Sequence, residues 1–474
     1  MGRRTAATFI AVLLVSAVAI AAVVSFMRGG EETGASRELW ASSATPDAGK
    51  SPKKFVTSVS KNHRYFLDQH GDPILVRGDS PWSLLLDLSP DDADRYLTIR
   101  ADQGVNTILM SLLGAAANGG VDGGATADGM TPFLDGDPAR PNAEYFDRAR
   151  HYVDSAAEHG ITVLLYPLDS WTIGTTFPTT DATTCRTYGE YVSSVFADAP
   201  NVVWMVGGDY PTDPDADGSG TDQDHCFDAV IQGARTQRPE RLASIQIGLG
   251  GETASTQSSY WRTRVDFNFV YTYLPTYRGV RKTYAFRPPM PVLMGEANYE
   301  GENNWPDTPD TTNETLRRQV LWSLTSGAAG EMYGSDDWEF LPGWKDRVVR
   351  PGLTQISRIR SMIAGLPWWS LTPDARGHLL TGSDSKAGVG NDVLEASTAT
   401  AAYNADGTLA LIYVPSSQTF TLDLSRLDPR ATARWYDPSG GSFTETALKT
   451  SMTTPGVNAD GDQDWLLVIS ASSV

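Results

Sequence analysis

The chain has 474 residues, 41% hydrophobic and 20% charged, a balance that supports a large core and excludes a disordered or fibrous protein. Its 38 basic and 57 acidic residues leave a net charge of −19, which repels phosphate backbones and argues against nucleic acid as a partner. The 13 Trp, 18 Tyr and 15 Phe imply either a large sandwich core or a surface for flat, partly apolar ligands such as sugars.

At the N-terminus, Arg3 and Arg4 precede an uncharged run over residues 5–27, and Arg28 follows it. About 20 apolar residues span a bilayer as a helix. Residues 1–28 therefore read as a transmembrane signal anchor with its N-terminus in the cytoplasm, a cleaved signal peptide being the alternative. The first reading puts the rest of the chain on the extracellular face of the cell membrane; the second makes it secreted. Residues 29–54 are small and polar with Pro and Gly, as in a flexible linker.

Residues 55–368 carry a repeating rhythm. A hairpin is expected first, turning at His70-Gly71-Asp72-Pro73. Apolar or β-branched runs then begin at Ile74, Asn106, Ile161, Asn201, Leu242, Phe267, Pro291 and Gly330, each followed by an amphipathic segment. Helix starts are marked by Ser89-Pro90-Asp91 and Asn142, and stops by Gly104 and Gly160. Continuous apolar runs suit strands buried on both faces. Eight strand-then-helix units over about 300 residues predict an α/β fold of the TIM (β/α)₈ barrel type. A doubly wound open sheet is the runner-up, weakened because no Gly-rich phosphate loop follows the first strand. From residue 369 to 474 the helices cease and short strands alternate with turns, predicting a small antiparallel β-sandwich.

Chemistry in such a barrel belongs at the C-terminal strand ends. The fourth strand ends Gly207-Gly208-Asp209 and the seventh ends Gly295-Glu296, which places two carboxylates at opposed points of the rim. A glycosidic bond needs that arrangement, one acid to protonate the leaving oxygen and one carboxylate to attack or stabilise the anomeric carbon. Asp79, Trp82, Trp171, Tyr210, Tyr271, Tyr273, Tyr299, Glu331 and Trp338 fall near strand ends and are the candidate substrate-binding set. Aromatic faces stack on sugar C–H faces, and carboxylates accept from hydroxyls.

Beyond Asp209, the aspartates Asp213, Asp215, Asp217 and Asp224, with Gly218 at the turn, match the spacing of a calcium loop, a solvated acidic turn being the alternative. A structural calcium is thus a candidate, and no cofactor is required for catalysis. Cys185 and Cys226 are an even count in an exported chain and permit one disulfide, two free thiols being the alternative. The six His show no His-Glu-x-x-His spacing and no ligand cluster, so catalytic zinc is not indicated. No Gly-x-Ser-x-Gly elbow signals an esterase.

Several segments together carry a family resemblance. GDSPWSLL from Gly78, NVVWMVGGDYP from Asn201, GEANYEG from Gly295 and RRQVLWSLTSGAAGEMYGSDDW from Arg317 resemble the apiosidase-like barrel family, glycoside hydrolase family 140 and its relatives. RSMIAGLPWWSLTPD from Arg360, with LIYVP and ARWYDPSGG, is similar to the C-terminal domain attached to that barrel, which carries a collagen-binding label. The resemblance runs from about residue 60 to the end. It implies a retaining glycosidase with Asp209 as acid/base and Glu296 as nucleophile. The chain departs from the family in having no His in IQIGLGG from Ile245 or VYTYLPTY from Val270, and in carrying Glu331 where His is common. The altered sugar-contacting set points away from the apiose-capped pectin side chain and toward another furanoside- or pentose-containing polysaccharide. The rival reading is a non-catalytic surface protein that binds carbohydrate or matrix.

Overall fold

The computed structural model describes residues 53–115, 122–211, 218–248, 252–302, 310–383 and 392–471. The predicted anchor lies outside the described residues. Among those described, no helix is long and apolar enough to cross a membrane.

Three short antiparallel strands come first: β1 (Ser58–Val59), β2 (Phe66–Leu67) and β3 (Pro73–Ile74). The predicted hairpin is the β2–β3 pair. A nine-stranded sheet follows, made of β4 (Val76–Asp79), β5 (Thr107–Ser111), β6 (Thr162–Asp169), β7 (Val202–Tyr210), β8 (Ala243–Ile247), β9 (Thr253–Ala254), β10 (Asn268–Tyr271), β11 (Val292–Glu296) and β12 (Gly330–Tyr333). Its order is β8-β7-β6-β5-β4-β12-β11-β10-β9, and every neighbouring pair is parallel except β9–β10. The sheet curls into a nearly closed barrel.

The seam lies between β8 and β10, and side chains bridge it. Ser255 Oγ donates to the Ile245 carbonyl at 2.8 Å and accepts from the Phe269 N–H at 3.1 Å, while Ser244 Oγ donates to the Phe267 carbonyl at 2.7 Å. A hydroxyl that both donates and accepts stands in for the missing ladder bond. The fifth crossover also differs from the expected helix: among the described residues, β9 and two single turns of 3₁₀-helix, Ser255–Gln257 and Trp261–Thr263, lie between β8 and β10.

The helices are α1 (Leu84–Asp87), α2 (Pro90–Asp102), α3 (Ala143–Glu158), α4 (Ala182–Val195), α5 (Asp222–Ala234), α6 (Tyr277–Tyr284), α7 (Asn313–Thr325), α8 (Trp344–Arg347) and α9 (Pro351–Ala364). Ser89 caps α2 by accepting from the Asp92 N–H, and Pro90 opens it, as the sequence signals required. Helices α4 and α5 pack closely because each contributes a glycine: a Cβ on Gly189 would lie 2.3 Å from the Val230 carbonyl oxygen, and one on Gly233 2.3 Å from that of Arg186. At this crossing a disulfide joins Cys185 to Cys226, closing a separation of 41 residues. Cross-linking a loop of that length restricts the unfolded chain by about 3–4 kcal/mol. Cys185→Ser with Cys226→Ser is therefore expected to lower the urea midpoint accordingly, and dithiothreitol to affect only the parent.

The C-terminal strands are β13 (Thr372–Pro373), β14 (Leu380–Ser383), β15 (Thr400–Tyr403), β16 (Leu409–Val414), β17 (Thr419–Leu422), β18 (Thr432–Tyr436), β19 (Phe443–Thr446), β20 (Ser451–Thr453) and β21 (Trp465–Ser470). They form two antiparallel sheets, ordered β13-β15-β16-β21-β18-β19 and β14-β17-β20. Leu379, Ile412, Phe420, Trp435, Leu467 and Ile469 belong to the core they share. The edge strands β14 and β19, mostly exposed, carry no apolar run by which the sequence would reveal them.

This unit is joined to the barrel through α7. Arg317, with no side-chain exposure, pairs with Asp464 at 2.8 Å, Asp462 at 2.7 Å and Asp460 at 3.3 Å. Arg318 donates to the carbonyls of Val393, Leu394, Ala396 and Pro415.

Candidate active site

The C-terminal end of β7 is built to turn one carboxylate. Gly207, Gly208 and Asp209 have successive positive φ angles of 95°, 75° and 50°, and the β7–β8 register shifts between Gly207 and Tyr210. A Cβ on Gly207 would lie 2.1 Å from the Gln246 carbonyl oxygen, so no larger residue fits. Asp209 itself occupies the left-handed region at a cost of about 1–2 kcal/mol, a strain typical of functional positions. Its Oδ1 is enclosed without a hydrogen-bond partner, and the nearby Tyr271 hydroxyl favours its charged form.

Glu296 ends β11 and is buried, with 7% exposure. Both oxygens accept hydrogen bonds: Oε1 from the Tyr273 hydroxyl at 2.9 Å, Oε2 from Gln246 Nε2 at 2.7 Å. The Tyr273 and Tyr271 hydroxyls lie 2.9 Å apart, so two phenols stand between the carboxyls. Burial raises the pKa of both acids, and the negative charge of Asp209 raises that of Glu296 further. Two such groups share one proton over the neutral range.

A third carboxylate stands beside them. Asp169, at the end of β6, is pushed up to about 6 by burial, although Thr172, Ser111 and the Trp171 N–H all donate to it. Its charge in turn raises Asp209. Asp169→Asn keeps an acceptor for the turn and removes that charge, so Asp209 loses its proton at lower pH. The alkaline limb of kcat/KM against pH is then expected to move down by about 0.5–1 unit; an unmoved limb would show that the two carboxyls do not sense each other.

Of the candidate substrate-binding residues, Trp82, Trp171, Tyr271, Tyr273 and Tyr299 are brought together around the pair. Trp82 is buried, packs on Tyr166 with centroids 4.9 Å apart, meets Trp171 edge-on at 5.3 Å and donates to the Tyr299 hydroxyl at 3.0 Å. Trp171 is half-buried and offers a ring to solvent. Trp338, also half-buried, donates to Glu302 Oε1 at 2.8 Å.

Three candidates are instead committed inside the fold. Asp79 accepts from Tyr96 and Arg100 of α2, each at 2.5 Å. Glu331 pairs with Arg360 of α9 and is 2% exposed. Tyr210 packs on Phe227 of α5, with its hydroxyl 2.7 Å from Thr221 Oγ1. Asp79 and Glu331 are each held by an arginine from a helix packed against the sheet, and Glu331, the second residue of β12, also lies short of the C-terminal strand end.

Of the aspartates matched to a calcium loop, the described residues include only the last. Asp213, Asp215 and Asp217 lie outside the described residues. Asp224 is the N3 residue of a capping box that opens α5: its Oδ2 accepts from the Thr221 N–H at 2.8 Å and its Oδ1 from Trp261 Nε1 at 2.5 Å. Both oxygens are thus engaged within the fold. Among the described residues, no group of three or more His, Cys, Asp or Glu is placed to hold a metal ion.

Asp169, Tyr166 and Gln246 escape the sequence reading. Asp169 follows the same signal as Asp209, an acid ending a buried strand, but Pro167 in Tyr166-Pro167-Leu168 suggests an earlier stop. Tyr166 and Gln246 sit mid-run in strands, where a side chain reads as core.

A family model described as "Apiosidase-like, catalytic domain" matches residues 60–370, and one described as "Putative collagen-binding domain of a collagenase" matches residues 384–470. A glycoside hydrolase family 5 structure from Bacteroides vulgatus is similar at 22% identity and a TM-score of 0.73, over 88% of this chain and 93% of its own. A second structure, described as a glycoside hydrolase, is similar at 19% identity and a TM-score of 0.72, over 89% and 98%. These two likenesses are of fold. A search of curated proteins finds no match.

Proposed function

The chain belongs to the apiosidase-like family and is a glycosidase, and from that premise we propose that it cleaves its substrate with retention, Asp209 acting as acid/base and Glu296 as nucleophile. The observation that carries this reading is the pairing of two buried carboxyls at the ends of β7 and β11, joined through Tyr271 and Tyr273. Asp209 gives its proton to the leaving oxygen as Glu296 attacks the anomeric carbon, forming a glycosyl ester and releasing an alcohol. Asp209, now a carboxylate, takes a proton from water as that water attacks the same carbon and Glu296 leaves. We read the nine-stranded sheet as a (β/α)₈ barrel whose fifth unit lacks its helix, occupying residues 55–368, with a sandwich at 369–474.

Trp171 and Trp338 supply half-exposed rings for a sugar, above a floor of Trp82 and Tyr299. The substrate class is a furanoside- or pentose-containing oligo- or polysaccharide, since the Gln246, Tyr271 and Tyr273 set differs from the His-bearing motifs of the apiose-cleaving enzyme. Residues 1–28 would hold the enzyme at the outer membrane surface or be removed on secretion.

A screen of pentofuranosidic and pectic oligosaccharides with the parent and Asp209→Asn tests the reading, with the product anomer followed by proton NMR. Expected are a product of unchanged anomeric configuration and a loss of roughly 10²–10⁴-fold in the variant. Inverted product would overturn retention. Binding without turnover, undiminished in Asp209→Asn, would establish the non-catalytic binding protein instead.

A further inference from the structure

Between the two carboxyls, Tyr271 and Tyr273 are hydrogen-bonded to each other and Tyr273 to Glu296, while Tyr271 faces Asp209, so three links share only two phenolic protons. All three links are made only when one carboxyl supplies the third proton. Two arrangements are self-consistent. Either Asp209 carries the proton and every donor points toward Glu296, or Glu296 carries it and every donor points toward Asp209. The phenols alone do not choose, because a hydroxyl donates or accepts equally well. Burial favours the proton on Glu296, the more enclosed of the two.

Gln246 opposes that preference. Its Nε2 only donates, and it donates to Glu296 Oε2 at 2.7 Å, a bond strengthened when Glu296 is the anion. The amide could reverse, but the Tyr166 hydroxyl donates to Gln246 Oε1 at 2.8 Å, and reversal would take away that acceptor. Tyr166 is fully buried, so its hydroxyl hydrogen would be left unsatisfied, a costly outcome in the interior. The other groups facing the pair are Asp169 and Tyr166 from β6, Tyr271 at the end of β10 and Tyr273 just past it, and Tyr299 and Glu302 beyond β11. All are acids or phenols, and none is an amide.

We propose that Gln246, oriented by Tyr166, is a positioning residue that assigns the single proton of the pair to Asp209 and leaves Glu296 as the charged nucleophile. This rests on the roles given to the pair under the proposed function, and it explains how a buried glutamate stays ionised next to an acid. Gln246 touches no reacting atom; it acts through Glu296.

The test needs no substrate. In the full chain carrying ¹³C at the side-chain carboxyls of Asp and Glu, the two signals are assigned by their loss in Asp209→Asn and Glu296→Gln and then followed against pH. In the parent, Glu296 is expected to ionise first and Asp209 to keep its proton to higher pH. In Gln246→Met the order should reverse, or the separation shrink by at least one pH unit, a tenfold change in the populations. Tyr166→Phe, which removes one oxygen, should do the same in part, and Gln246→His, with a ring N–H donor, should restore the order. A parent in which Glu296 holds its proton above Asp209, or a Gln246→Met and a Tyr166→Phe that both leave order and separation unchanged, would overturn the proposal. Turnover is a separate readout. Full activity in both Asp209→Asn and Glu296→Gln would sink the assigned catalytic roles, whatever the titration shows.

Discussion

Glu296→Gln is expected to lower turnover by roughly 10⁴-fold or more and, unusually for a buried substitution, to make the protein more stable. The first effect follows from the nucleophile role proposed for Glu296, since an amide of the same shape has no charge to donate. The second follows from the direction of the pKa shifts. Burial raises both carboxyls of the pair in the fold, Glu296 included, and the charge of either one raises the other. A carboxyl whose folded pKa lies above its unfolded value adds stability while protonated and loses it as pH rises through the folded pKa. The amide does not ionise and escapes that loss. Parent and variant should therefore melt together near pH 4, with the variant gaining on the order of 1–3 kcal/mol by pH 8. Calorimetry across that range checks it. An equal or lower melting temperature at pH 8 would mean that the site does not strain Glu296 electrostatically.

The other large effect lies far from the chemistry. Arg317→Met leaves Asp464, which has no side-chain exposure, facing a thioether where a guanidinium stood. Breaking one side of a buried pair costs about 3–5 kcal/mol, because the remaining charge is stranded. Here one arginine serves three aspartates, Asp460, Asp462 and Asp464, and also holds Gln355 of α9 at 2.7 Å. Urea unfolding of Arg317→Met should lose that much. The double change Arg317→Met with Asp464→Asn should recover part of it, since the stranded charge is then gone. If the single variant unfolds at the parent's midpoint, the sandwich is a passenger on the barrel. Otherwise the C-terminal sheets serve first as a brace for α7, the helix between β11, which bears Glu296, and β12.

Much of this arrangement is legible in the chain. Continuous apolar runs mark the buried strands because both faces of each are covered, and Ser89, Pro90 and Asn142 mark helix starts because local hydrogen bonds are all a cap needs. Asp209 stands out for a local reason too: two glycines before an acid at a strand end describe a chain that must twist there. Glu296 is identified less by its own surroundings than by the need for a second carboxylate.

Which of the remaining acids serve the site is not a local property. Asp79, Asp169, Glu296 and Glu331 all end or border buried strands and look alike in sequence. They differ in what the fold places opposite them: Arg100 against Asp79, Arg360 against Glu331, hydroxyls and backbone against Asp169, an amide and a phenol against Glu296. A cation fixes a carboxylate as structural, whereas neutral donors and a second acid leave it proton-sharing and reactive. Periodicity and strand-end position, set by neighbours in the chain, therefore determined the sheet architecture and placed the two proposed catalytic carboxyls at strand ends. The tertiary structure decided what faces each acid, because the partner lies 21 residues away for Asp79, 29 for Glu331 and 50 for Glu296.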